Sequence, residues 1–173
     1  MLVDNSLILD NNFALTTTGS STNYIDTVGA AGGQAQIATV NTIQGGYDAY
    51  EADWFEAIIT KSMTAGGTSL SVALWTANVI ANIWTTGNAG SAPTAVAGQT
   101  IQLLSSGAIV AASLVGPATA GAYGSTSGAI LLKARIPSGC QRFLSAFYTC
   151  VGIFTGGGTI SALIVPDVDI NLT

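Results

Sequence analysis

Charged side chains in two short segments are the groups in this chain whose types and spacing could do chemistry. The acidic segment YDAYEADWFEA spans 47–57, and the basic segment KARIPSGCQR spans 133–142 and holds three of the four cations. Paired carboxylates can act as general acid and base or bind a cation, and clustered cations bind carboxylates or phosphates. The candidate residues are Asp48, Glu51, Asp53, Glu56, Lys133, Arg135 and Arg142.

The acidic segment admits three interpretations. On a strand, Asp53 and Glu56 point to opposite faces, which separates the two carboxylates instead of pairing them. The spacing also fails to match the calcium-binding loop of an EF-hand. We favour a solvated loop and strand edge over a partner-binding acidic patch, and both over a catalytic pair. No catalytic residue and no metal site are therefore predicted.

Other catalytic equipment is missing from the sequence. Histidine is absent, which removes the commonest general base and any Ser-His or Cys-His nucleophile pair. Cys140 and Cys150 are separated by about 30 Å of extended chain, which is too far for a disulfide. The glycine-rich stretches 65–69 and 155–159 lack the Lys-Ser/Thr of a phosphate-binding loop and are interpreted as turns. We predict a protein that is not an enzyme and needs no cofactor.

Composition limits the classes of partner. The net charge is −5 and the pI about 4.1, which disfavours nucleic acid and anionic lipid as ligands. The mean hydropathy is +0.52, yet no run approaches the ~20 apolar residues of a membrane-spanning helix. The N-terminus lacks a basic region, so we expect no signal peptide and a soluble chain made in the cytoplasm. Few charges and many apolar residues indicate a surface partly covered by partners.

The elements that must position the charged residues are short β-rich runs separated by glycine pairs. The clearest runs are 54–61, 68–75, 129–136, 142–151 and 158–165. The polar glycine-rich connections predict two hairpins, which pair 54–61 with 68–75 and 142–151 with 158–165. Weaker strands are predicted at 2–9, 13–18, 22–27, 35–40, 79–85, 100–104 and 108–113, with loops at 41–50 and 86–99. Such spacing is typical of an all-β, antiparallel β-sandwich of jelly-roll type, here a single domain over 1–173.

Alternation in the run ILLKARI predicts which side chains of the basic segment lie on the same face of a strand. Lys133 and Arg135 share one side with Leu131, and the other side carries Ile130, Leu132, Ala134 and Ile136. If 129–136 and 142–151 pair as a hairpin, Arg142 joins them near the turn end of one sheet. These cations either form a solvated face that guards a strand edge or make salt bridges, to the chain's own acids Asp48 to Glu56 or to a partner.

The three tryptophans also admit two roles. Trp54, Trp75 and Trp84 could form a platform for a sugar ring. Because two of them lie in apolar runs, packing in a core or an interface is the favoured interpretation.

Three segments resemble one protein family. The order LKARIPSGCQRFLSAFYTCVGIFTGGGTISALIV within 129–165 is similar to the C-terminal half of tailed-phage capsid cement (decoration) proteins. Shared features are the Leu-Lys-Ala-Arg-hydrophobic-Pro turn, the Arg-aromatic-Leu strand and the Gly-x-Phe-Thr-x-Gly stretch before a last apolar strand. LILDNNFALTTTGSSTNYIDT at 7–27 and AGGTSLSVAL at 65–74 resemble the opening and central parts of the family. The segment 77–122 departs from it, as does Ser145, where the resemblance implies a longer polar residue.

The resemblance implies a structural role in a virion. It implies a jelly-roll-like domain on the outer surface of an icosahedral head, made in the host cytoplasm. There it would contact several copies of a major capsid protein of the HK97-like class and reinforce the shell. We expect the chain to associate with itself as a dimer or trimer, and expect strand-like terminal arms at 1–10 and 166–173 to extend sheets of the shell. The alternatives are a carbohydrate-binding β-sandwich surface or fibre domain and, third, a hydrolase.

Overall fold

Eleven short strands account for most of the described part of the chain. The computed structural model describes residues 8–26, 42–44, 53–84, 93, 96–118 and 128–165. In chain order the strands are β1 (Ile8–Phe13), β2 (Gly19–Ser20), β3 (Tyr24–Asp26), β4 (Thr42–Gln44), β5 (Trp54–Lys61), β6 (Gly67–Ala77), β7 (Thr100–Ser105), β8 (Ile109–Val110), β9 (Ile130–Arg135), β10 (Phe143–Gly152) and β11 (Thr159–Val165). Short 3₁₀ turns lie at Ile80–Asn82 and Ala111–Ser113.

These strands form two sheets, and the antiparallel β-sandwich predicted from the sequence is confirmed. The first sheet has the order β1-β11-β5-β9. The second has the order β4-β3-β10-β6-β7, with β2 also paired to β10 and β8 to β6. All pairs are antiparallel apart from β3 with β4. Among the described residues, no helix is long and apolar enough to span a membrane.

The pairing is nested along the chain. The first strand pairs with the last, β1 with β11; moving inward, β3 pairs with β10, β5 with β9, and β6 with β7. Such a set of pairs describes one long antiparallel ribbon. The pairs β11·β5 and β10·β6 then join different parts of this ribbon within each sheet. The sheets are therefore built from strands that are far apart in sequence.

One apolar core lies between the two sheets, and alternation decides which side chains enter it. From the first sheet, β5 contributes Phe55, Ala57 and Ile59; from the second, β10 contributes Leu144 and Ala146, all fully buried. Burial of each large aliphatic or aromatic side chain contributes about 1.5–3 kcal/mol relative to exposure. The core therefore holds together strands that share no hydrogen bonds.

Both predicted hairpins are wrong, and 129–136 does not pair with 142–151 either. The runs 54–61, 129–136 and 158–165 became β5, β9 and β11 of the first sheet, whereas 68–75 and 142–151 became β6 and β10 of the second. Each glycine-rich connection thus crosses from one sheet to the other instead of turning back beside the same strand. Because stacked sheets are about 10 Å apart, twice the spacing of paired strands, these connections are bridges between layers.

An apolar residue within each crossing connection explains its path. Met63, Ile136 and Phe154 are 2% exposed or less and belong to the main core. Their backbone N–H groups each donate to a carbonyl of another segment at 2.9 Å. A hairpin turn would leave these side chains in solvent, so burying them favours the crossing.

The weaker strand predictions had mixed outcomes. The run 100–104 became β7, but the predicted strand 79–85 instead contains the 3₁₀ turn at Ile80–Asn82. The predicted loop 41–50 contains β4. The predicted strand 35–40 lies outside the described residues. Of the predicted terminal arms, residues 8–10 belong to β1 within the chain's own first sheet, and 1–7 and 166–173 lie outside the described residues.

A bulge interrupts the predicted alternation of β9. Leu132 pairs with Ala57, but the next pair joins Ile130 to Ile58, so Leu131 is the extra residue. Leu131 is buried and Ile130 is 54% exposed, the reverse of the prediction for the start of this strand. A bulge changes the direction of the following side chains in this way. From Leu132 onward the predicted faces are confirmed.

Candidate functional site

Strands β5 and β9 place Glu56 directly opposite Lys133. The two residues are register partners, and Lys133 Nζ donates to Glu56 Oε2 at 3.0 Å. The Glu56 side chain is only 3% exposed, whereas that of Lys133 is 48% exposed. Opposite charges that face each other across an antiparallel pair stabilise its register. The alternative in which a cation bonds one of the chain's own acids is thus realised for Lys133.

The favoured interpretation of the acidic segment is wrong for both of its described members. Asp53 and Glu56 are buried, not solvated. Glu56 lies on β5, an inner strand flanked by β11 and β9, so neighbours on both sides shield it from water. A buried carboxylate is costly without a partner, which is the role of Lys133 here. Asp48 and Glu51 lie outside the described residues.

Arg135 lies beside Trp54 on the same pair of strands. The two are register partners, and the guanidinium carbon is 5.6 Å from the centroid of the Trp54 ring, in cation–π geometry. Trp54 itself packs against a small apolar cluster of Ile8, Leu163 and Val165. The edge strand β9 therefore carries Lys133 and Arg135, each of which is engaged with β5.

Arg142 is anchored by the second sheet. Its Nε and terminal nitrogen donate to the two carboxylate oxygens of Asp26 at 3.0 and 2.8 Å. Its guanidinium carbon also lies 4.8 Å from the centroid of the Phe143 ring. The Asp26 hydrogen bonds are the main reason why the pKa of Arg142 is raised. Two parallel hydrogen bonds fix a guanidinium more firmly than one contact can, so β3 and the start of β10 are joined here.

Arg135 and Arg142 lie at the same end of the sandwich but belong to different sheets. Arg135 ends β9 in the first sheet, and Arg142 directly precedes β10 in the second. The segment 136–141 crosses between them. The predicted arrangement on a single hairpin is therefore wrong, because the connection changes sheets. Which of Lys133, Arg135 and Arg142 contact a partner stays a prediction.

Aromatic side chains at the same end pack against one another. The centroids of Tyr24 and Trp84 are 5.0 Å apart, and those of Tyr24 and Phe143 are 5.8 Å apart. Trp84 donates its indole N–H to the carbonyl of Ser21 at 2.8 Å. Trp75 and Trp84 both pack against an apolar cluster of Ala77, Ile83 and Phe143. These contacts use the rings for internal packing, in line with the favoured interpretation of the tryptophans.

The ionic partner of Arg142 was missed in the sequence. Asp26 lies in one of the weaker predicted strands, 22–27. No sequence pattern connects it to Arg142, which is more than a hundred positions away. The register of β10 places Phe143 opposite Asp26, and that pairing brings the carboxylate to Arg142. An aspartate at the end of a strand, as in YID, was the one available signal.

An uncharged row of side chains lies on the second sheet, at the end of β10 opposite to Arg142. Val151 pairs with Ser69, and Ser69 pairs with Val110, so these three residues form a row across β10, β6 and β8. Val151 is 53% exposed and Val110 59%, and nearby Ile153 is also exposed. Exposed apolar side chains in a row are typical of a protein-contact surface more than of a catalytic one.

Within the described ranges, no three His, Cys, Asp or Glu side chains are grouped closely enough to hold a metal ion. No protein-family model matches the chain. A comparison with curated proteins likewise gives no match.

Proposed function

We propose that this chain is a structural cement protein that binds the outer surface of a phage head and stabilises contacts between major capsid protein subunits of the HK97-like class. In this role it works as a dimer or trimer, because several weak contacts made together bind far more tightly than one. A second engaged contact typically raises the overall affinity by roughly 10²–10⁴. The protein then needs neither an active site nor a cofactor.

The observation that carries the proposal is where the resembling segments fall in the fold. Segment 7–27 contains β1, β2 and β3; segment 65–74 lies mostly in β6; and segment 129–165 contains β9, β10 and β11. These strands make up most of both sheets. The departing segment 77–122 contributes mainly β7 and β8 at the margin of the second sheet. The resembling segments therefore supply most of the framework strands, and the departures lie mainly at a margin, apart from Ser145 on β10.

The strand order supports the jelly-roll type that the resemblance implies. A jelly roll forms when an antiparallel ribbon is wrapped so that its parts lie in two sheets. The nested pairs β1·β11, β3·β10, β5·β9 and β6·β7 are the pairs of such a ribbon. The crossing connections that follow β5, β9 and β10 are the places where the wrapping changes sheets.

The distribution of charge also supports a protein partner. Lys133 and Arg142 are paired with the chain's own carboxylates, while the row of Val110, Ser69 and Val151 carries no charge. Such a surface suits apolar contacts with a shell. Any salt bridge from an exposed cation to the shell would add only ~0–1 kcal/mol and would act mainly on register and specificity.

Co-sedimentation with heads tests the proposal. Heads assembled without this protein are mixed with the purified chain and separated on a density gradient, and the heads are then heated until they release DNA. We expect saturable binding at a fixed ratio to the major capsid protein, and release at a higher temperature. Absence of binding at micromolar concentration, together with binding on a glycan array, would favour the carbohydrate-binding alternative instead.

Variants should separate contact from folding. Arg135→Gln removes an exposed charge, and the double change Glu56→Gln/Lys133→Gln removes a charge pair without leaving a buried carboxylate alone. If β9 contacts the shell, these variants fold normally but bind heads more weakly than the wild type does. Wild-type binding by both would remove β9 from the contact surface.

A further inference from the structure

The first strand is irregular, and its irregularity turns an acidic side chain into the core. The register partners of β1 and β11 are Ile8 with Leu163, Asp10 with Ala162, and Phe13 with Ile160. Register shifts therefore flank Asp10 on both sides, and Asn12 in the second shift has φ +51°. Because Ala162 belongs to the core whereas Leu163 belongs to the cluster outside it, the first shift brings Asp10 to the core side.

Asp10 is fully buried and bonded to the opposite sheet. Its Oδ2 accepts a hydrogen bond from the hydroxyl of Tyr148, which is itself fully buried on β10. Its Oδ1 accepts from the backbone N–H of Thr22, between β2 and β3, at 2.8 Å. The neighbouring Leu9 carbonyl accepts from the Asn23 N–H at 3.0 Å. The edge strand β1 of the first sheet is thus attached to the second sheet through Asp10 and Leu9.

The surroundings of Asp10 offer little compensation for a negative charge. Its hydrogen-bond donors are the phenol of Tyr148 and the hydroxyl and backbone N–H of Thr22, and none of them carries a positive charge. Strand β11 has no ionisable side chain, and β10 has only Tyr148 and Cys150. The segment from β2 to β3 carries Tyr24 and Asp26, and Asp26 is paired with Arg142.

Burial therefore governs the ionisation of this carboxyl. It raises the pKa of Asp10 from 3.8 to about 6, although the hydrogen bonds from Thr22 and Tyr148 partly oppose the rise. Burial, helped by the nearby Asp10, also raises the pKa of Tyr148 well above 10, so the phenol keeps its proton as donor. Asp10 is then the group that changes charge between pH 5 and 7 in this cluster.

We propose that Asp10, Tyr148 and Thr22 form a protonation-dependent latch that fastens β1 across the sandwich. The latch is firm while Asp10 is neutral and loosens when it ionises, so β1 opens more often at higher pH. The proposal is independent of the proposed function, because it concerns only the attachment of β1 to its own domain.

The sign follows from linkage. A group whose pKa is higher in the closed state than in the open state stabilises the closed state fully below the open-state pKa, near 4. That stabilisation is lost as the pH rises through about 6. Between pH 5 and pH 8 the equilibrium for opening β1 should rise about tenfold, if Asp10 reaches water when the strand opens.

Hydrogen exchange measured by mass spectrometry tests the latch. Peptides covering 8–13 and 70–76 are followed at pH 5, 6, 7 and 8, with rates corrected for intrinsic exchange. We expect β1 to exchange through its own opening, faster than β6, and its protection to fall about tenfold from pH 5 to pH 8. In Asp10→Asn the protection of β1 should be independent of pH. Equal protection of β1 and β6 at every pH, or an unchanged pH dependence in Asp10→Asn, would overturn the proposal.

Two further variants serve as a control and as a second test of the latch. Asp26→Asn removes a buried carboxylate that is not on β1, so the pH dependence of β1 should remain. Tyr148→Phe keeps the ring and removes one hydrogen bond that lowers the pKa of Asp10, so the midpoint should move to higher pH. If Asp10→Asn fails to fold, this shift in Tyr148→Phe decides the matter, and an unmoved midpoint refutes the latch.

Discussion

Three polar pairs act at the level of single residues, and each is built across strands. Glu56 meets Lys133 across β5 and β9, Asp26 meets Arg142 beside β10, and Asp10 meets Tyr148 across the sandwich. The carboxylate is the buried member of the two ionic pairs, and its cation is more exposed. Removing a cation should therefore cost more than the modest value of a surface ion pair.

A comparison of a single and a double variant at Glu56 and Lys133 checks the cost of removing a cation. Lys133→Gln leaves a buried carboxylate without its cation and should lower the free energy of unfolding by about 1–3 kcal/mol, the cost of a buried acceptor without its partner. Glu56→Gln/Lys133→Gln should recover most of that loss, because a neutral amide is cheaper to bury than a charge. Urea denaturation measures both, and Arg135→Gln, on the same strand, is the control. Equal losses in Lys133→Gln and in the double variant would contradict the account.

At the scale of single residues, part of the site could be predicted from the sequence. Alternation in β9 correctly predicts that Lys133 and Arg135 share a face, since that pattern is local. It does not predict that Glu56 is buried, because burial of the outer face depends on which strands flank β5. Nor does it predict the inward turn of Asp10, which arises from register shifts against a strand about 150 residues away.

At the scale of the elements, the connections between the sheets contribute to the core as the strands do. Phe154 lies in the connection from β10 to β11, is 2% exposed and belongs to the main core. A Cβ on Gly67 would lie 2.4 Å from the Phe154 ring, so the ring and the start of β6 fit closely. This side chain therefore joins the end of the sandwich to the β6 strand of the second sheet.

Neighbouring residues in that connection provide a matched pair. Phe154→Ala should lower the free energy of unfolding by about 3–5 kcal/mol, because it leaves a cavity in the core. Ile153→Ala, one position earlier, removes a side chain that is 60% exposed and should change stability by less than about 0.5 kcal/mol. Thermal or urea unfolding distinguishes them, and similar losses in both variants would show that Phe154 does not anchor the connection.

The strands were predictable, and their partners were not. The β-rich runs 54–61, 68–75 and 142–151 are local features bounded by glycine-rich stretches, so the positions of these strands could be inferred directly. Whether a glycine-rich connection turns back or crosses depends on what its middle residue packs against. Met63 and Phe154 were visible signals of crossing, because a large apolar side chain has little reason to occupy a solvated hairpin turn.

For the whole molecule, nested pairing has a kinetic cost. The outermost pair of strands, β1 and β11, joins residues near 8 to residues near 163. Before such contacts stabilise anything, a long loop must close, and closure reduces chain entropy. The domain should therefore refold slowly for its size.

Stopped-flow fluorescence measures this rate. Trp54, Trp75 and Trp84 pack against apolar clusters, so their emission should report the formation of the sandwich. We expect the main refolding phase on the millisecond-to-second scale typical of β-sandwiches. Completion of refolding within microseconds would mean that local contacts, not the nested pairs, limit the rate.

Because of the same pairing, the chain could begin and end at a different place without any change in which strands pair. Since Ile8 of β1 lies beside Leu163 of β11, the beginning of the first strand and the end of the last are spatial neighbours. A short linker could join them, and the chain could be reopened at the exposed Ser138 and Gly139 in the crossing after β9. Such a circular permutant would keep every strand pair, and its new ends would emerge beside Arg135, at the same end of the first sheet as the new linker.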